Sequence, residues 1–271
     1  MTPLLKTSRW LPLLVALCCL AAFPSCHRSV GENCCFADEA IQLYRQARYD
    51  GRPTGDPFRD SYYALRHALD SIPFVCDTDE PYAYHVVGSD DCTSILAKLP
   101  GVQMEQGWQM CVQYKGDING NCYLMARRGD SVTNLLDHLE VDFTEEGVWN
   151  AMMLDMSYGY LPCGWHGCYL KMSIIFDIEE ILRAPDIQHA SKTDPLGELR
   201  EKLSKETVEI NNRVRILDAD HAVIEAYCWH DWHGLYINRI QVTRHGDNVT
   251  FQPSPIKDCQ ILIPYDSTVQ F

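Results

Sequence analysis

Two short stretches hold most of the residues in this chain that could do chemistry. Cys163-Gly164-Trp165-His166-Gly167-Cys168-Tyr169 is one; Cys228-Trp229-His230-Asp231-Trp232-His233-Gly234-Leu235-Tyr236 is the other. Both contain Trp-His-Gly-x-Tyr followed by an aliphatic residue, Leu170 and Ile237. Aromatic faces with polar tips suit flat ligands or sugar rings, which offer CH groups to stack and hydroxyls to bond. On that chemistry the candidate ligand site has Trp165 and Trp232 as walls, His166 and His233 as polar tips, and Tyr169 and Tyr236 beside them. The competing structural reading is that Trp and Tyr at strand starts pack on each other across neighbouring strands, with the glycines allowing close approach.

Metal binding and hydrolysis are the alternatives built on the same residues. Cys163, His166, Cys168, His230 and His233 carry the sulfur and nitrogen donors that zinc takes in a tetrahedron. Their spacing follows no zinc-finger pattern, so the site is read as metal-free and no cofactor is expected. A Cys or Ser beside His and Asp could form a hydrolytic group. Yet there is no Gly-x-Ser-x-Gly elbow and no papain-like surround of a Cys. Glu145/Glu146 and Glu179/Glu180 read as helix-starting acids facing water, which leaves Asp155 as the acid nearest the first cluster. The reading taken is a binding or structural role; the alternative is a metal-dependent or Cys/His-based hydrolase.

The amino terminus says where this chemistry is carried out. Lys6 and Arg9 precede an apolar run from Leu11 to Phe23, too short for a bilayer span of about 20 residues and suited to a signal-peptide core. The run ends at Phe23-Pro24-Ser25-Cys26. This segment resembles a bacterial lipoprotein signal, a resemblance confined to the leader. It implies residues 1–25 as the signal peptide, lipid on Cys26, and a protein exported to the bacterial cell envelope and attached to a membrane; ordinary signal cleavage is the alternative. Removing the leader and setting Cys26 aside leaves Cys34, Cys35, Cys76, Cys92, Cys111, Cys122, Cys163, Cys168, Cys228 and Cys259. That even set suits disulfide pairing in an oxidising compartment, some members being plain buried thiols.

The chain has 271 residues and a formal charge of −14, a surface that repels phosphate backbones. Nucleic acid is therefore not an expected partner. Expected partners are the membrane, through the acyl anchor, and a small-molecule or glycan ligand.

The elements that must position the two clusters follow from periodicity. Residues 26–36 read as a tether, and 37–271 as a single α+β domain that would subdivide, if anywhere, near 141–144. Phe36 to Asp50 and Phe58 to Ser71 have helical spacing, and Tyr82 to Val87 reads as a strand. Asn119-Gly120 predicts a two-residue type I′ hairpin turn, with Cys122 opposite Asp117 and Cys111 opposite Arg128. Ser131 to Glu140 reads as a helix with Leu135, Leu136 and Leu139 inward. Thr144 caps a helix to about Ser157, and Asp194-Pro195 opens another. From Thr207 onward the pattern is strand and turn. The expected fold is thus helices plus a hairpin in the amino-terminal half and an antiparallel meander in the carboxy-terminal half. The two Trp-His-Gly corners are expected to meet as starts of neighbouring strands.

Overall fold

In the carboxy-terminal half, alternation of side chains builds a two-faced sheet. The computed structural model describes residues 53–70, 74–76, 84–86, 91–114, 122–156, 173–182, 195–205, 207–230 and 233–264. Its first helix, α1, is Pro57–Asp70. Then come β1 (Phe74–Cys76), β2 (Tyr84–Val86), β3 (Val102–Met104), β4 (Gln109–Tyr114), β5 (Cys122–Arg128), β6 (Ser131–Asn134), β7 (Leu139–Val141) and α2 (Glu145–Asp155). The carboxy-terminal half holds β8 (Ser173–Ile174), α3 (Ile178–Leu182), α4 (Pro195–Leu203), β9 (Arg213–Ile216), β10 (His221–His230), β11 (Gly234–His245), β12 (Asn248–Pro253) and β13 (Gln260–Ile263). The large sheet runs β12-β11-β10-β8, with β9 also beside β10 and β13 beside β11. Its pairings are all antiparallel.

β10 and β11 pair Ala222 with Val242, Ile224 with Ile240 and Cys228 with Tyr236. These residues form one face and are buried in the main core. Because side chains alternate along a strand, Trp229 and Leu235 fall on the other face. There they join a smaller core with Ile175, Ile181, Leu199, Leu203 and Ile263. Leu199 and Leu203 lie one turn apart on α4 and present one stripe to that core.

α2 is the helix the main core closes around. Every residue from Gly147 to Leu154 is buried, the condition of a helix enclosed on all sides. Thr144 caps it, its hydroxyl accepting from Gly147 N at 3.1 Å. Trp149 is fully buried, stacks on Phe58 of α1 with ring centroids 4.7 Å apart, and donates its indole N–H to Phe58 O. The start of α2 lies against the turn at Gly101, whose φ is +77°. α1 begins with its own cap: Asp56 Oδ1 accepts from Phe58 N at 3.0 Å, and Pro57 takes the first helical position, where a missing N–H costs nothing.

The α+β reading stands, with helices and a hairpin first and the antiparallel meander after. Four local expectations need correction. The hairpin pairs Tyr114 with Cys122 and Cys111 with Met125, three residues away from the register a two-residue turn imposes; Asn119-Gly120 lies outside the described residues. This register opposes Met110 to Ala126, both fully buried. The expected one would have set Met110 against Gly129, so burial on one face decides the pairing.

Ser131 to Glu140 is not a helix. β6 pairs with β5, a 3-10 turn covers Leu135–His138, and β7 follows. Val132 and Thr133 are β-branched and suit the ladder, while Leu135, Leu136 and Leu139 still reach the core. Disulfide pairing does not extend to Cys92, Cys111, Cys228 or Cys259. Three of them are buried, where Cys behaves as a small hydrophobe. Glu180 does not face water: it is buried beside Arg59 at 2.9 Å, and its Oε2 accepts from Phe176 N.

Candidate functional site

The second Trp-His-Gly cluster forms the tight connection between β10 and β11. His230 is the last residue of β10 and pairs with Gly234. His233 N donates to His230 O at 3.1 Å, and Gly234 follows with φ +77°. This left-handed conformation is one that glycine adopts without strain. The turn brings the two imidazoles together, with Nδ1 of His233 3.2 Å from Nδ1 of His230. Their ring centroids are 4.9 Å apart and the planes tilt by 58°. His230 is buried and His233 half-buried. Burial, and then the neighbouring His233, hold His230 below the usual imidazole range, which favours the neutral ring.

The aromatic residues flanking this pair are anchored inward. Tyr236 is 2 % exposed in the main core and Trp229 4 % exposed in the smaller one. The structure therefore places Tyr236 behind the turn as support, while His233 is at its surface. Of the other residues assigned to the ligand site, Trp165, His166, Tyr169 and Trp232 lie outside the described residues, as do Cys163, Cys168 and the lipidation position Cys26. β8 runs antiparallel to the end of β10, with Ser173 opposite Trp229. Asn212 locks that junction: its Nδ2 donates to Ile175 O at 2.8 Å and its Oδ1 accepts from Tyr227 N at 2.7 Å. Asp155 ends α2, where the neighbouring packing takes water from its carboxyl and raises it above the usual range.

Three further clusters lay beyond what residue spacing could show. Glu225 on β10 sits between Arg213 of β9 and Arg239 of β11, each its direct cross-strand partner. Burial alone would raise its carboxyl. The hydrogen bonds and charge of Arg213, followed by those of Arg239, outweigh burial and hold it low. Glu105 and His138 form a second pair, Oε2 to Nδ1 at 2.8 Å, with the imidazole stacked 3.5 Å from the Trp108 ring. Glu105 N also donates to His138 O, so this cluster ties the segment after β3 to the turn before β7. The third is an open recess of about 560 Å³ at the start of α2, walled by Gln103, Glu140, Asp142, Thr144, Arg244 and Asp247. Part of its polar lining is already engaged: Gln103 donates to Glu140 at 2.5 Å and Arg244 Nε to Gly246 O at 2.7 Å.

Among the described residues no three His, Cys, Asp or Glu side chains gather as a metal-binding group, and no helix is long and apolar enough to cross a membrane. Compared with known proteins, the chain is matched by no family model, no curated protein and no solved structure.

Proposed function

We propose that this is an exported protein of the bacterial cell envelope, held to a membrane by lipid on Cys26, whose role is to bind a small molecule or glycan at the β10–β11 turn. The His230–His233 pair, at the turn joining two strands whose aromatic neighbours are locked into separate cores and with His233 partly exposed, carries that reading. A site mounted on rigid strands holds its polar groups in place better than one on a free loop. Chain connectivity supports the share of the first cluster. Tyr169 precedes Ser173 by four residues, which span at most about 14 Å, and Ser173 pairs with Trp229 one residue from His230. In this reading Trp165, His166, Tyr169 and Trp232 complete the site around His233, with Tyr236 supporting it. The acidic net charge of −14 argues for neutral or cationic ligands over nucleic acid.

Two measurements test it. Tryptophan fluorescence, read across a panel of mono- and oligosaccharides and small metabolites, should respond to at least one class, and Trp232→Ala should remove the response with the thermal melt unchanged. A panel without any response would remove the binding role. Metabolic labelling with a fatty acid should mark the wild-type chain and not Cys26→Ser; equal labelling of both would place the anchor elsewhere.

A further inference from the structure

The geometry points to a divalent transition-metal site at the β10–β11 turn, with Nδ1 of His230 and Nδ1 of His233 as its two protein ligands and water in the remaining positions. It goes beyond the small-molecule or glycan reading of the same turn and is tested separately from it. The distances carry it. Zinc–imidazole bonds are about 2.05 Å, so two nitrogens 3.2 Å apart subtend about 103° at a shared ion, close to the tetrahedral angle. With each ring centroid roughly 1.15 Å behind its nitrogen, such a chelate sets the centroids about 5.0 Å apart. The observed separation is 4.9 Å. A straight Nδ1–H···Nδ1 bond of the same length would hold them about 5.5 Å apart. The pair as it stands is a bent Nδ1–H···Nδ1 hydrogen bond, and loss of its one proton leaves both nitrogens at a spacing that a common ion accepts.

The backbone makes this bite rigid. His230 is fixed by its ladder position opposite Gly234, and His233 by the bond from its own N to His230 O. Both ligands come from one turn, so little chain entropy is lost on binding. Imidazole nitrogen suits copper, nickel and zinc, with Cu(II) bound tightest by the general order of divalent affinities. Calcium and magnesium, which demand oxygen ligands, do not fit.

The test uses the full mature chain, made without a histidine tag, stripped with chelator and dialysed. Titration with Cu(II) and Zn(II) by calorimetry should show an equivalent of metal per chain at this turn. Its affinity should fall at least tenfold in His233→Ala and in His230→Ala. Electron paramagnetic resonance of the Cu(II) form should lose one imidazole nitrogen coupling in each variant. His221→Ala removes an exposed imidazole held by Asp218 and should change neither result. If His230→Ala fails to fold, His233→Ala at the turn surface decides alone. Unchanged affinity and unchanged nitrogen coupling in His233→Ala overturn the site. A chain that binds no metal yet answers the fluorescence panel keeps its binding role and loses this ligand class. A chain that binds metal through His230 and His233 but ignores the panel keeps the metal site.

Discussion

Replacing Gly147 with alanine sets helix propensity against packing, and the structure says which wins. Gly147 lies in the first turn of α2, where alanine is favoured over glycine by about 1 kcal/mol. A Cβ built there would sit 2.2 Å from Asp142 O and 2.9 Å from Gly101 O. Both are backbone atoms, so neither can swing aside as a side chain would. Relief requires moving the turn that holds Asp142 N on Gly101 O at 2.8 Å, or drawing Gly147 N away from Thr144 Oγ1. Overpacking of this kind costs about 1–3 kcal/mol, and a lost cap about 1 kcal/mol more. Set against the propensity gain, the expected net loss is about 2 kcal/mol. Urea denaturation followed by circular dichroism measures it as a lower midpoint at unchanged slope. A Gly147→Ala protein as stable as wild type, or more so, would refute the close approach of these two turns.

Two further outcomes follow from the buried charges. Glu180→Ala leaves Arg59, itself about one-quarter exposed, without its carboxylate and strips Phe176 N of its acceptor. The expected loss is about 2–3 kcal/mol by denaturant titration, below the full cost of breaking a buried pair because Arg59 keeps some water. Glu180→Gln, which can still accept from Phe176 N, should lose less, and equal losses would argue against that bond. For Glu225 the folded carboxyl lies below its ordinary value. Its contribution is therefore complete above the unfolded value of about 4.3 and is lost as pH falls through the folded one. With Arg213 and Arg239 about half exposed, that contribution is about 1 kcal/mol. Glu225→Gln should flatten the acid limb of the stability–pH curve, whereas curves that run parallel from pH 7 to pH 3 would contradict it.

Elements marked by local chemistry are legible in the sequence itself. Thr144-Glu145 and Asp194-Pro195 announce helix starts because capping is settled within three or four residues. The meander from β10 to β12 shows in alternation and in its turn residues, again a local code. Register is a different kind of fact. Asn119-Gly120 predicts a turn, yet the pairing of β4 with β5 answers to which residues must share the buried face, and that depends on what packs against the hairpin. Ser131 to Glu140 misled for the same reason. Its leucines are spaced for a helix, and a strand, a 3-10 turn and a second strand deliver the same three side chains inward.

The candidate site divides along the same line. That His230 and His233 flank a turn followed by glycine is written in their spacing, since residues three apart across a tight connection must lie close. That Trp229 and Tyr236 are supports enclosed in two different cores is not, because an aromatic beside a turn packs or faces water according to what the rest of the chain lays over it. The ion pairs Glu180–Arg59 and Glu225 with Arg213 and Arg239 were invisible for the corresponding reason. A carboxylate enters a core only when a cation arrives from another element, and only folding fixes which one arrives.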